Sequence, residues 1–382
     1  MSHIAMLLTN PYRPDPRVER EARALVKAGH RVTLVCWDRA AELPPRETHN
    51  GLDIIRVQSV RSAYGSGWRQ LFYLPRFWRM AVRIVAGLQP NAVHCHDLDT
   101  LFVGWRLKQR TACRLVYDAH EHYPAMMSLY LPRVMVNTLA VWERYLIRHA
   151  DAVVTASTVL RDEFLQTHRM PVITLGNFQD MAPYQAVSAA EAQVLRAKLG
   201  VPDGKLLVAY IGGFSKNRIL VPFIEAARLL PAVEFHLWGD GAQRTEVEAA
   251  TARYPNAHYH GWLGADDLPI HFRAADVIYY CLRLDYPGAQ YNAPNTLSQA
   301  MAAGRPIIAN RVGDLGRIVS AAQCGLLIDQ ATPEQIAAAI RQLQLPDLRR
   351  QLGKNGLRAA QTDFNTAAVE RQLIELYHML TE

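Results

Sequence analysis

Asn292-Ala293-Pro294-Asn295-Thr296-Leu297-Ser298-Gln299-Ala300-Met301-Ala302-Ala303-Gly304-Arg305-Pro306-Ile307-Ile308-Ala309 reads as one complete helix-to-strand unit. Pro294 suits a first helical turn, where a missing N–H costs little, and Gly304 suits the stop just past the last turn. The run from Pro306 to Ala309 then has the composition of a short buried strand. A helix starting near Pro294 or Asn295 turns its free N–H groups and positive dipole end toward one edge of a sheet, where an anion can be held. An ordinary crossover helix would read the same way, so the flanking sequence has to decide.

Working outward, β-branched apolar runs alternate with amphipathic stretches along the whole chain, which predicts β-α units feeding parallel sheets. Strands are expected at Ile4 to Thr9, Arg31 to Cys36, Leu52 to Val57, Ala92 to His96, Arg114 to Asp118, Ala152 to Ala156 and Val172 to Leu175. Between the first two, Val18, Ala22, Leu25 and Val26 share one helical face, with Gly29 as the stop. A second series runs through Leu206 to Ile211, Val233 to Trp238, Ala257 to His260, Val277 to Cys281, Pro306 to Ala309 and Gly325 to Ile328. The polar, Ala-rich stretch between Leu175 and Gly204 reads as the connection. Thr366 to Thr381 is helical in pattern behind the N-cap Asn365 and has no strand to follow. The expected organisation is α/β, with doubly wound domains over 1–177 and 178–364 and a terminal helix over 365–382.

At 382 residues and 50% hydrophobic, the chain can bury two full cores. A net charge of +7 gives a surface that attracts anions, without selecting a partner. The five cysteines are scattered and never fall into metal-ligand spacing, so they read as reduced core thiols of a cytoplasmic protein. Neither a secretory leader nor a membrane-spanning run is expected. The dispersed basic residues contain no nucleic-acid-binding module.

Several junctions carry chemistry. Gly212-Gly213 with Lys216 and Arg218 follows a strand, where bare backbone can approach a phosphate and a cation can neutralise a departing diphosphate. Trp238-Gly239-Asp240-Gly241 and Gly261-Trp262-Leu263 also follow strands and offer backbone groups to a base edge, although plain strand-ending turns would look alike. In the first half, His120 and Glu121 follow the Arg114 to Asp118 strand, and a neutral imidazole there can bond a substrate. A satisfied buried histidine is the alternative. Arg13, Asp15 and Arg17 occupy the loop after strand one.

Taken together over nearly the whole chain, these residues resemble the GT-B fold and the retaining glycosyltransferases of family 4. The resemblance implies an acceptor-binding first domain, a nucleotide-sugar-binding second domain and catalysis in the cleft between them. It implies His120, Arg218 and Lys216 as catalytic. Donor contacts would come from Gly212, Gly213, Gly239, Asp240, Gly241, Gly261, Trp262, Leu263, Asn292, Asn295, Thr296 and Gln299. Acceptor contacts would come from Arg13, Asp15, Arg17 and Glu121. No metal and no cofactor are implied. The donor is expected to be a nucleotide diphosphate sugar, a UDP-sugar rather than a GDP-sugar. The departing phosphate would itself help to take the acceptor proton.

Aromatics interleaved with arginines from Trp68 to Arg83 suit an anionic membrane surface, which points to a glycolipid or other lipid-linked saccharide acceptor in surface-polysaccharide synthesis, at the inner face of the cell membrane. A partly buried helix is the competing reading. The pattern is also broken in places. Tyr291 and Gln299 stand where the family usually carries two glutamates, Gly212-Gly213 replaces Gly-Arg, and the first loop lacks a Gly-Gly pair. These departures motivate one alternative, a non-catalytic sugar-nucleotide-binding scaffold or partner subunit. A nucleotide-sugar 2-epimerase-like enzyme, which shares the fold, is a second alternative that the loss of both glutamates does not favour.

Overall fold

The structure is a computed structural model that describes residues 1–13, 15–62, 70–128 and 131–381, with the side chains of 70 and 71 outside the description. The chain divides into two compact units, Met1–Gly176 with Val369–Glu382, and Asn177–Ala368.

The first unit is built on eight strands: β1 (His3–Leu8), β2 (Arg31–Trp37), β3 (Arg46–His49), β4 (Leu52–Val57), β5 (Ala92–His96), β6 (Arg114–Ala119), β7 (Ala152–Thr155) and β8 (Val172–Thr174). Their order is β3-β4-β2-β1-β5-β6-β7-β8. Every pairing is parallel except β3 with β4, where Arg46 faces Ile55. The antiparallel β3 was not expected, because Arg46-Glu47-Thr48-His49 carries no apolar alternation and is mostly exposed. Central strands such as β1 and β5 are covered on both faces by helices, which is why they are nearly continuous apolar runs. The order reverses between β1 and β5, so the loops leaving those strands border a crevice at their carboxyl ends.

The Thr366–Thr381 helix completes this unit. Asn365 accepts from the Ala368 N–H at 2.9 Å, and Leu373, Leu376 and Tyr377 are buried. Arg114 Nε donates to the Leu380 carbonyl at 3.1 Å.

The second unit holds β9 (Leu206–Ile211), β10 (Val233–Trp238), β11 (Ala257–Tyr259), β12 (Val277–Tyr280), β13 (Ile307–Asn310) and β14 (Gly325–Ile328), all parallel, in the order β11-β10-β9-β12-β13-β14. Its switch point lies between β9 and β12. Its core runs from Val208, Phe223 and Phe235 through Tyr279 to Ile307 and Ile340, all fully buried. The stretch between Leu175 and Gly204, read as a connection, instead forms the helices Ala182–Ala186 and Ala189–Lys198 within this unit. A capping box of Ser188 and Glu191 starts the second of them. All five cysteines are buried and free.

Candidate active site

In the second unit the expected donor segments converge at the carboxyl ends of β9, β10 and β12. Tyr210, near the end of β9, donates its hydroxyl to the Gly213 carbonyl at 2.8 Å and so folds the Gly212-Gly213 turn back over the strand. The Asn295–Ala302 helix starts against that turn, with Thr296 Oγ1 donating to the Ile211 carbonyl at 3.3 Å. No side chain caps this helix, so its first N–H groups stay available to an anion. Just before it, the Asn292 side-chain oxygen is buried with no hydrogen-bond partner among the described residues.

Beyond the turn, the chain from Asn217 to Ile219 runs antiparallel to the segment leaving β12. Arg283 N–H donates to the Asn217 carbonyl and Ile219 N–H to the Cys281 carbonyl. This bridge spans the switch point and sets Arg218 with its guanidinium carbon 4.9 Å over the Tyr280 ring. Arg218 Nη1 donates to Asn217 Oδ1 at 2.9 Å, while its Nε is buried with no hydrogen-bond partner among the described residues. Lys216, two residues earlier, is exposed.

Gly239 makes the turn after β10 possible. A Cβ there would sit 1.9 Å from the Gly212 carbonyl oxygen, so the two donor turns touch backbone to backbone. Gly241 packs less tightly, on the backbone of Phe214, whose N–H donates to the Asp240 carbonyl at 2.8 Å. Asp240 is exposed and ion-paired with Arg244 at 3.4 Å. Gly261 and the 69% exposed Trp262 stand open beside them, with Leu263 half-buried.

Two further expected donor residues are engaged within the unit. Asn295 Oδ1 accepts from Gln179 at 3.2 Å, and Gln299 is buried in hydrogen bonding with the Tyr184 hydroxyl. Gln299 faces the core of its own unit because it lies one helical turn past Asn295, on the side that packs against the Ala182–Ala186 helix.

In the first unit, β5 and β6 carry His94, His96 and Asp118 inward, and His120 follows β6. One carboxylate oxygen, Asp118 Oδ2, lies 3.3 Å from His94 Nε2, 2.9 Å from His96 Nδ1 and 3.2 Å from His120 Nε2. Tyr377 closes the far side of His94 at 2.9 Å. Burial pushes His120 down to about 3, against the pull of Asp118, so its ring is neutral near pH 7. His120 Nε2 also lies 2.9 Å from His96 Nδ1, so the tautomer of His120 is set jointly by Asp118 and His96. Burial raises the Asp118 carboxyl, but the surrounding imidazoles outweigh it and hold the group well below the usual carboxylate range. Glu21, buried beside it, is pushed well up by burial and by Asp118.

The remaining first-unit expectations divide. Arg17 joins the His120 group: burial alone would lower it, but Asp15, Asp97, Asp118 and Glu121 together raise it. Glu121 is exposed at the same edge. Asp15 is the N-cap of the Pro16–Lys27 helix and accepts from the Arg17 N–H, and Arg13 points away to pair with Glu42. Pro14 lies outside the described residues, as do Trp68 and Arg69.

Sequence reading missed two residues that shape this edge. Asp97 sits at φ 60°, ψ 165°, a backbone state nearly reserved for glycine and a frequent sign of a site under functional constraint. Arg56, a buried cation on β4, donates to the carbonyls of Pro11 and Tyr12 and so fixes the loop after β1. An arginine at an inward position of a strand was the available signal.

Among the described residues two groups have the donor atoms for a metal, Glu21 with His94, His96 and Asp118, and Glu234 with His236 and His258, each within 4.8 Å. The first is already satisfied in large part by the hydrogen bonds just described. In the second, Glu234 is paired with Lys205 at 2.7 Å.

Comparison with known proteins bears on both units. Residues 14–175 match the model of the glycosyl transferase 4-like domain, and residues 205–345 that of the glycosyl transferases group 1. An uncharacterized glycosyltransferase of Methanocaldococcus jannaschii is 22% identical over 94% of this chain and 93% of its own length. The D-inositol 3-phosphate glycosyltransferase of Salinispora tropica is 25% identical over 93% of this chain and 78% of its own. Among solved structures, the sucrose-phosphate synthase of Thermosynechococcus elongatus superposes with TM-score 0.83 at 22% identity, covering 100% of this chain and 99% of that one. Anabaena HepE in complex with UDP superposes with TM-score 0.77 at 16% identity, covering 99% and 100%.

Proposed function

Because the chain belongs to the group 1 glycosyltransferases of GT-B fold and family 4 type, we propose that it moves a sugar from a nucleotide diphosphate donor to an acceptor with retention of anomeric configuration. The observation that carries this is the convergence, at the switch point of the second sheet, of the Gly212-Gly213 turn, the uncapped Asn295–Ala302 helix and Arg218. There the helix N–H groups and Arg218 receive the diphosphate, with Lys216 reaching in from solvent. The turns at Gly239 and Gly261 face the base, and Asn292 offers its unpaired oxygen to the donor.

No protein nucleophile is required. The bond from the anomeric carbon to the diphosphate oxygen breaks while the acceptor oxygen bonds to that carbon on the same face, and the departing phosphate takes the acceptor proton. Arg218 stabilises the charge that builds on the diphosphate, the work a divalent ion would otherwise do, so activity is metal-independent. His120, neutral and held by Asp118, serves as a hydrogen-bonding group for the substrate sugars.

The donor in this reading is a UDP-sugar, in keeping with the UDP and UDP-glucose complexes of HepE. A GDP-mannose-dependent alpha-mannosyltransferase of Mycolicibacterium smegmatis, 24% identical over 80% of this chain, makes the GDP-sugars the necessary control. The acceptor is a lipid-linked saccharide. The Gln70–Leu88 helix buries Phe77 against Trp37 and sends the Trp78 indole N–H to the Asp99 carbonyl, yet leaves Phe72, Arg76, Arg79 and Arg83 exposed. Among the described residues no helix is long and apolar enough to cross a membrane, so attachment would be peripheral.

The test is a thermal-shift panel of nucleotide sugars followed by transfer to cell lipid extract with EDTA present, reading free nucleoside diphosphate and the anomeric configuration of the product. UDP-sugars should raise the melting temperature and be turned over, giving a retained anomer. Stabilisation without release of diphosphate would favour the scaffold reading, which the buried, engaged Gln299 keeps open. Epimerised donor without acceptor would favour the epimerase.

A further inference from the structure

A cavity of about 610 Å³ opens at the opposite edge of the second sheet from the donor turns. The segments that line it precede their strands: Leu206 opens β9, Ala232 comes just before β10, Asp276 just before β12 and Arg305 just before β13. In a parallel sheet those positions mark the amino edge. Six-residue β9 separates the two edges by roughly 20 Å. Ligands of such sheets ordinarily bind at the carboxyl edge, so this cavity is not an extension of the donor site.

Its lining is strongly cationic. Arg196, Lys205, Arg273, Arg305 and Arg349 contribute to the wall, against the single carboxylate of Asp276. Two of the five are neutralised, Arg196 by Asp276 at 2.8 Å and Lys205 by Glu234 at 2.7 Å. The other three have no carboxylate within ion-pairing distance among the described residues and are held by main-chain carbonyls. Arg273 donates to Ala303, Arg305 to Arg273, and Arg349 to Leu343. The Nε atoms of Arg273 and Arg305 are buried with no hydrogen-bond partner. Burial lowers Arg305 to about 10; Asp276 opposes the fall, and repulsion from Arg273, Arg196 and Arg349 adds to it. Gathering like charges at a partly buried wall is unfavourable unless an anion joins them, and a planar guanidinium fork matches phosphate oxygens.

We propose that this cavity is a second, non-donor binding site for a soluble small polyanion bearing phosphate groups, held chiefly by Arg273, Arg305 and Arg349. Its volume is in the range of small-molecule sites.

Inorganic pyrophosphate titrated calorimetrically at constant ionic strength provides the test, with wild type compared with R305Q, R349Q, A189E and R218A. Ala189 lines the same cavity at the exposed start of its helix, so A189E supplies an internal carboxylate. The wild type should bind, and R305Q and R349Q should each weaken that binding by about tenfold. A189E should abolish it while raising the melting temperature, an outcome that a merely misfolded variant does not give. R218A should leave this component intact and weaken, by a few-fold, only anion bound at the donor turns. Absence of binding in the wild type, or binding lost in R218A but kept in R349Q and A189E, overturns the proposal.

Discussion

Arg218 rests on the Tyr280 ring with its Nε already out of water, so its charge acts in a medium less screening than bulk solvent. Arg218→Ala should therefore lower turnover by about 100-fold while changing donor affinity only a few-fold, checked by steady-state rates beside calorimetric binding of the donor. Equal rates would remove it from the mechanism. His120→Ala should impair transfer and leave nucleotide binding intact; retained transfer would reject its role. Buried neutral histidines also set a pH dependence. His120 is lowered to about 3 and His236 to about 2, burial being the main cause in both. Below the ordinary value of 6.5 the unfolded chain takes up protons that the native rings refuse, so stability falls as pH drops through that window, by about 1.4 kcal/mol per pH unit for each such ring. Melting temperature should decline steadily from pH 7 to pH 4, and His236→Asn should flatten the slope. An unchanged slope would contradict this assignment.

The elements bring their own constraints. The turns after β9 and β10 approach so closely that Gly239→Ala would force a Cβ to within 1.9 Å of the Gly212 oxygen, with that backbone on one side and the fully buried Phe214 ring on the other. We expect a loss of stability of roughly 2 kcal/mol or more together with weakened donor binding, measured by denaturant melts and calorimetry. The Gln70–Leu88 helix divides its residues by face: Phe77, Ala81 and Val85 are fully buried, while Phe72, at 63% exposure, shares the outer face with the arginines. Sedimentation with anionic liposomes should pull down wild type but not the F72A/R76A double variant. Failure of the wild type to bind would end the membrane reading. The interleaved aromatics and arginines were legible in the sequence, but which ring faces inward was not, because Pro75 and the neighbouring elements set the rotation of the helix.

For the whole molecule, the terminal Thr366–Thr381 helix matters more than its position in the chain suggests. Tyr377 is fully buried and is the hydrogen-bond partner of His94, which leads through Asp118 to His120. Ending the chain at Ala368 should lower the melting temperature of the first unit and expose the His94 group to solvent. Tyr377→Phe should cost about 1–2 kcal/mol, read from denaturant unfolding, since a buried imidazole nitrogen loses its partner. The same contrast holds for other residues. Asn365 could be read as an N-cap because capping is local, and Ser188 with Glu191 carried an equally local signal that was passed over in an Ala-rich stretch. Gln299 could be placed on its helix but not on a face turned to Tyr184, and nothing near Asp97 in sequence announces its strained backbone.

The amino-acid sequence by itself determined the two series of β-α units, the boundaries of most strands and the start of the helix at Asn295. Those depend on apolar period, caps and glycine stops, which act over a few residues. Only the tertiary structure decided that Asp118 serves three histidines and that Arg305 meets Arg273 and Arg349. It alone also set the order in which β12 joins β9. Such contacts join residues that are often dozens of positions apart, and their energy comes from burial and charge in the assembled core, which no local pattern encodes.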